Sequence, residues 1–168
     1  LAGYSRSKQG GRSRPHCPGP PILFAFLLRV LRRGTPPPMT TKHRGRTAYI
    51  DWMRPQDILT PVPAGLCCRG GNFHIDPVRP VERAVITHGH SDHARAGHGA
   101  VLATQETLDM MRLRYGENFA GRAQAIRYGE RVDLNGVRLR FHPAGHVLGS
   151  AQVAVEAEGL RIVASGDY

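Results

Sequence analysis

The stretch Thr87-His88-Gly89-His90-Ser91-Asp92-His93 follows the apolar run Ala84-Val85-Ile86, and its reading governs the rest of the chain. Four side chains able to bind a metal fall within six positions. In an extended loop, side chains at i and i+2 point the same way. His88 and His90 can therefore grip one ion together, while Asp92 and His93 turn toward a second. Histidine and carboxylate ligands suit zinc, and also manganese or iron. Two such ions a few ångströms apart are a device for hydrolysing phosphate esters and related bonds. A lone histidine is ordinarily a surface or capping residue. A His-x-His-x-Asp-His run at the carboxyl end of a buried-looking strand is a different kind of object.

Two further ligand types follow strand-like stretches. His146 lies in Pro143-Ala144-Gly145-His146-Val147-Leu148-Gly149-Ser150, after Val137-Arg138-Leu139-Arg140-Phe141. Asp167 lies in Ala164-Ser165-Gly166-Asp167-Tyr168, after Leu160-Arg161-Ile162-Val163. Each follows a glycine, which lets backbone approach a crowded site. Alone, either would read as a turn residue; with the first cluster they form one constellation.

These motifs resemble the metallo-β-lactamase superfamily of hydrolases over about Met53 to Tyr168. The resemblance implies that His88, His90 and His146 hold a first metal, that Asp92 and His93 hold a second, and that Asp167 bridges them. Asp76, in Phe73-His74-Ile75-Asp76-Pro77, matches the family's early aspartate, which orients the cluster from behind. The bland alternative for Asp76 is a plain turn aspartate before proline. Asp92 and Asp76 are the two candidate catalytic carboxylates. The run Ala144-Gly145-His146-Val147-Leu148-Gly149-Ser150 is similar to the third motif of the nuclease branch that carries a β-CASP segment. Met53-Arg54-Pro55-Gln56-Asp57-Ile58-Leu59, Pro63-Ala64-Gly65-Leu66-Cys67 and Arg127-Tyr128-Gly129-Glu130-Arg131-Val132 resemble most the bacterial DNA ligase-associated exonucleases. Relatives that process RNA 3′ ends share several of these motifs.

The resemblance implies an α/β fold: the N-terminal half of an αβ/βα four-layer sandwich, with mixed and antiparallel strands and few helices. The family continues with a β-CASP segment, more strands and a late histidine that completes the second metal site. Residues 39–168 are thus expected to be the N-terminal part of the hydrolase domain, truncated after Tyr168 and inactive alone. Half a sandwich leaves a sheet face and an edge uncovered.

The chain is long enough for one real core. Its formal charge of +10 is uneven. Residues 1–38 hold seven basic groups (Arg6, Lys8, Arg12, Arg14, Arg29, Arg32, Arg33) and no acid, leaving only +3 for the other 130 residues. Nucleic-acid binding therefore cannot be argued from the overall charge. The apolar run Ile22–Leu28 is too short to span a bilayer, and no small-residue cleavage site follows it. Residues 1–38 are read as a disordered basic leader, upstream sequence carried in frame, with the true start at Met39 or Met53. Three cysteines, Cys17, Cys67 and Cys68, have no metal spacing and no disulfide pattern, so a reducing, cytoplasmic setting is expected.

Strands are expected at Leu66–Cys68, Phe73–Ile75, Ala84–Thr87, Ala100–Ala103, Ala123–Arg127, Arg131–Leu134, Val137–Phe141, Ala151–Glu156 and Leu160–Ala164. Asn135-Gly136 and Glu158-Gly159 are hairpin signals. One clear helix spans Gln105–Tyr115, capped by Thr104, with Leu108, Met110, Met111 and Leu113 as its apolar face. A short helix is expected from His93 to Ala96. His98 and His142 are weak site candidates. Arg138 and Arg140 share a strand face that is either solvated or turned to phosphates.

The expected activity is metal-assisted phosphodiester hydrolysis with two divalent ions, zinc before manganese or iron. The substrate is nucleic acid, DNA ahead of RNA, and by resemblance a DNA ligase is a partner; no membrane is involved. A thioesterase or lactone hydrolase on the same fold is the rival within hydrolases. A non-catalytic metal-binding module is the rival outside them. If the leader is upstream sequence, mass spectrometry of the native host should find no peptide from residues 1–30. Detecting such peptides would overturn that reading.

Overall fold

The structure, a computed structural model, describes residues 28–32 and 54–168. The strands are β1 (Leu28–Arg32), β2 (Leu59–Val62), β3 (Gly65–Cys68), β4 (Phe73–Ile75), β5 (Arg83–Val85), β6 (His98–Ala103), β7 (Ala120–Ala125), β8 (Arg131–Leu134), β9 (Val137–Pro143), β10 (Ala151–Ala157) and β11 (Leu160–Ala164). A single helical turn, α1 (Pro55–Ile58), precedes β2, and helix α2 (Gln105–Tyr115) joins β6 to β7. No helix among the described residues is long and apolar enough to cross a membrane.

Two sheets form. The first runs β2-β3-β4-β5-β6-β7 and changes from antiparallel at β2-β3-β4 to parallel at β4-β5-β6-β7. The second runs β1-β11-β10-β9-β8 and is antiparallel throughout. Alternation along the strands produces the core between them. Val137, Leu139 and Phe141 of β9, Val153 and Val155 of β10, and Ile162 of β11 meet Leu66, Phe73, Ile75, Val85 and Leu102 of the first sheet. Ala84, Ile86, Val101 and Ala103 face the other way, where Leu108 and Met111 of α2 cover them. The described residues thus give three layers, helix on sheet on sheet, mostly strand with few helices. No helical layer lies against the outer face of the second sheet among these residues.

The helix bounds match the sequence expectation, and Thr107 N–H donates to the side chain of the Thr104 cap. Its apolar face is narrower than expected. Leu108 and Met111 are buried, while Met110 and Leu113 are exposed; at 100° per residue they lie well round the helix from the buried pair. No helix forms at His93–Ala96, only a turn closed by Ala94 N–H to His90 carbonyl at 2.7 Å. Strand β2 lies outside the expected set; it carries Pro61 and is an edge, where proline's missing N–H is tolerated. Strand β7 lies three residues earlier at its start than expected. Asn135-Gly136 and Glu158-Gly159 have positive φ at both positions, as the tight hairpin turn requires. Neither Cys67 nor Cys68 is in a disulfide, and Cys68 is buried among core residues.

Most of residues 1–38, and both Met39 and Met53, lie outside the described residues. Leu28–Arg32 is the exception within the expected leader: it pairs in antiparallel register with Leu160–Ala164. The edge of β11 offers a row of backbone donors and acceptors, and β1 takes it up.

His98 sits at the amino end of β6, the opposite end from the carboxyl ends where the ligand loops emerge. It is fully buried, and its Nδ1 accepts from Val81 N–H at 3.3 Å. It is thus a packed structural histidine and not part of the candidate site. Burial holds it below the usual histidine range. The unfolded chain protonates near pH 6.5 while the folded chain resists, so stability is full above that value and is lost as pH falls below it. Replacing His98 by Gln should flatten the fall of the urea midpoint between pH 7 and 5. An unchanged slope would contradict this.

Candidate metal centre

Every ligand-type residue singled out from the sequence, except His98 and His142, leaves the same edge of the two sheets. Asp76 follows β4, the His88–His93 loop follows β5, His146 lies between β9 and β10, and Asp167 follows β11. The carboxyl ends of parallel strands are the usual place for such loops, because a rigid sheet fixes loops that remain free to vary. Backbone ties join them: Asp76 N–H donates to Val85 carbonyl at 3.0 Å, and Ala151 N–H donates to Thr87 carbonyl at 2.8 Å. Gly89, inside the first loop, packs closely against α2. A Cβ there would stand 3.2 Å from Met110 Cβ of α2.

The buried carboxylate of Asp76 organises the back of the cluster. Its Oδ1 accepts from Thr87 N–H at 2.7 Å, and its Oδ2 accepts from the Thr87 hydroxyl at 2.6 Å. Its Oδ2 also lies 2.9 Å from His93 Nδ1. Since a carboxylate only accepts, a neutral His93 carries its proton on Nδ1 and turns a bare Nε2 forward. The Thr87 hydroxyl has one hydrogen, given to Asp76, so toward His88 Nδ1 at 3.0 Å it can only accept. His88 is therefore also protonated on Nδ1 and also presents a bare Nε2. One carboxylate thus sets the tautomers of two histidines, one directly and one through Thr87. Sequence reasoning gave no role to Thr87; its place between the strand and His88 was the available signal.

The front of the cluster is a convergence of lone pairs. His90 Nδ1 lies 3.1 Å from His88 Nε2 and 3.2 Å from His146 Nε2. The three rings stand nearly perpendicular to one another, at 82°, 86° and 85°. Two ligands each about 2.05 Å from a tetrahedral zinc are about 3.3 Å apart, so these spacings fit one ion held between three imidazoles. Asp167 closes the group with Oδ2 3.8 Å from both His88 Nε2 and His146 Nε2. Its other oxygen, Oδ1, lies 3.6 Å from His93 Nε2, and Asp92 Oδ2 lies 3.7 Å from the same nitrogen. The donor atoms of His88, His90, His146 and Asp167 all fall within 4.8 Å of one another. His88, His93 and Asp76 are buried, whereas His90, Asp92 and Asp167 face solvent.

The electrostatics agree with two differently held histidines. Burial and the neighbouring His93 hold His88 below the usual range, against the pull of Asp76 and Asp167. At His93 burial also works against charge, but the Asp76 hydrogen bond and the carboxylates of Asp76, Asp167 and Asp92 outweigh it and raise its pKa. The His146 turn is closed by Ser150, whose Oγ accepts from His146 N–H at 3.1 Å and Val147 N–H at 3.2 Å. His142 is exposed on β9 and belongs to neither group of ligand atoms that could share an ion among the described residues. A separate cleft of about 310 Å³, lined by Arg83, Leu102, Arg122 and Asp133 between the two sheets, contains none of the candidate site residues.

Replacing Asp76 by Asn would put an amide N–H₂ against the Thr87 hydroxyl and His93 Nδ1, both donors. Divalent-metal affinity should fall about 10- to 100-fold, and the metal-free chain should lose ~2–3 kcal/mol of stability. Isothermal titration and urea unfolding check these values; unchanged metal affinity would refute the orienting role.

No protein-family model matches the sequence. Among curated proteins, a ribonuclease of Thermus thermophilus is 33% identical over 119 residues, covering 56% of this chain and 27% of that protein. An endoribonuclease of Eremothecium gossypii is 45% identical over 47 residues, covering 28% of this chain and 6% of its own length. A probable DNA ligase of Opitutus terrae is 35% identical over 99 residues, covering 56% of this chain and 9% of its own length. The chain therefore spans about a quarter or less of each of these relatives. These are likenesses, over part of the chain, to proteins named as nucleases and to one named as a probable DNA ligase, and the His-x-His-x-Asp-His loop and the sheet edge that carries it agree with the metallo-β-lactamase resemblance read from the sequence.

Proposed function

We propose that this chain is the N-terminal, metal-holding part of a binuclear metal-dependent phosphodiesterase that cuts nucleic acid, with DNA ends as the substrate. The observation that carries the reading is the carboxylate of Asp167. Its two oxygens face two different groups, Oδ2 toward His88 and His146 and Oδ1 toward His93. That is the arrangement a bridging ligand needs. In this reading His88, His90 and His146 would hold one ion, Asp92 and His93 would hold the other, and Asp167 would serve both. Divalent ions, zinc first, would supply Lewis acidity and a water of lowered pKa when bound.

The chain's own residues do the rest. Asp76 and Thr87 hold protons on His93 Nδ1 and His88 Nδ1, so that both Nε2 atoms stay available. Asp92, 68% exposed, and Asp167, 48% exposed, lie on the open side, where a phosphate would approach. With two divalent ions set against these two carboxylates, the centre keeps net positive charge, which suits an anionic substrate and its transition state.

RNA is the second reading, and the identity to ribonucleases favours it. The DNA reading rests on the ligase-associated motifs and the match to a probable DNA ligase. A ligase partner and a cytoplasmic setting belong to this proposal.

The test uses the protein made from the complete reading frame that contains this chain. DNA and RNA oligonucleotides of one sequence, end-labelled, are incubated with it and Zn²⁺ or Mn²⁺. Cleavage of DNA from an end is expected, with His90→Ala and Asp167→Asn lowering kcat/KM at least about a hundredfold. Cleavage of RNA alone would shift the substrate. Hydrolysis of a thioester or lactone with neither nucleic acid cut would overturn the nuclease reading.

A further inference from the structure

The mechanism above leaves one buried polar contact unused. Thr104 is 2% exposed, and its hydroxyl donates to Gly149 carbonyl at 2.7 Å across 45 residues of sequence. The same oxygen accepts from Thr107 N–H at 3.3 Å, which caps α2. Thr107, fully buried, brings its own hydroxyl to within 3.0 Å of Thr104 Oγ1 and 3.3 Å of Gly149 carbonyl. The hydrogens balance if Thr104 gives its one proton to Gly149 and Thr107 gives its own within the cluster. Gly149 has φ +79°, and a Cβ there would stand 2.7 Å from Glu106 Cβ and 2.8 Å from Thr104 Oγ1. Only glycine fits this seat.

Gly149 belongs to the turn that carries His146. Ser150 Oγ closes that turn onto His146 N–H and Val147 N–H, and Tyr128 hydroxyl donates to Ser150 carbonyl at 2.9 Å. The same helix touches the other ligand loop, through Met110 against Gly89 between His88 and His90. Helix α2 is held in place by Leu108 and Met111 against Ile86, Val101 and Ala103. It thus contacts both loops whose histidines must meet within about 3.3 Å to share one tetrahedral ion.

We infer that α2 is a brace that sets the separation of the two ligand loops, and that Thr104 is a positioning residue which fixes His146 for metal by bonding to Gly149 while capping the helix. The inference rests on the metal reading given under the proposed function. Loss of the Thr104 hydroxyl removes the shorter of the two hydroxyl bonds from α2 to the His146 turn and leaves the contact of Met110 with the His88–His90 loop untouched.

The experiment measures Co²⁺ binding by visible absorption, with circular dichroism as the check of folding, on the full chain and its Thr104 variants. Thr104→Val should weaken Co²⁺ binding about 10-fold or more, whereas Thr104→Ser, which keeps the hydroxyl, should stay within about threefold of wild type. Should Thr104→Val fail to fold, Thr104→Gly removes the hydroxyl with a smaller capping loss, and the same weakening is expected. A folded Thr104→Val or Thr104→Gly chain that binds Co²⁺ as tightly as wild type overturns the inference. A wild-type chain that binds no Co²⁺ overturns the metal reading itself, a separate outcome.

Discussion

The candidate site depends on one buried carboxylate. Asp76 receives Thr87 N–H, the Thr87 hydroxyl and His93 Nδ1, with all three contacts between 2.6 and 2.9 Å. A carboxylate in such a place is costly unless its lone pairs are met; here three donors meet them. The consequence reaches outward. In their neutral forms His88 and His93 carry their protons on the inner nitrogens, so their outer nitrogens face the centre bare. Asp76 has positive φ, as a turn residue does, so the bland expectation of a turn aspartate and the orienting role coincide in one residue.

The sheets supply the second constraint. Strands β4 and β5 run parallel, so Asp76 and the His88 loop leave the same end. Strands β9, β10 and β11 run antiparallel, with Val153 opposite both Phe141 and Ala164. The β9–β10 connection and the end of β11 therefore emerge together, and the core between the sheets brings His146 and Asp167 to face His88 and His93. Sequence separations of tens of residues collapse to a few ångströms through strand direction and packing, with no long-range motif required.

Much of this was legible in the chain itself. The ligand types were visible because their spacing is local, and the hairpins at Asn135-Gly136 and Glu158-Gly159 because φ > 0 restricts residue choice. Helix α2 was readable, with Thr104 marking its start; in the structure Gly116 closes its end. What stayed hidden depends on three-dimensional context. Edge strand β2 carries a proline that only its edge position excuses. The exposure of Met110 and Leu113 follows from where the sheet meets the helix. The relay through Thr87 needs two atoms of one side chain assigned opposite roles, and composition cannot reveal that. The pairing of Leu28–Arg32 with β11 also runs against the basic, Pro-rich character of its surroundings.

The most direct test of the centre is zinc K-edge X-ray absorption on the chain loaded with one and then two equivalents of Zn²⁺. With one equivalent the expected spectrum has a histidine-rich shell at about 2.0–2.1 Å with the outer scattering of imidazole rings. In the protein made from the complete reading frame, the second equivalent should add a metal–metal distance of about 3.5–4 Å. A shell of oxygen alone, or sulfur at about 2.3 Å from Cys67 or Cys68, would contradict a centre built from His88, His90, His146, Asp92, His93 and Asp167.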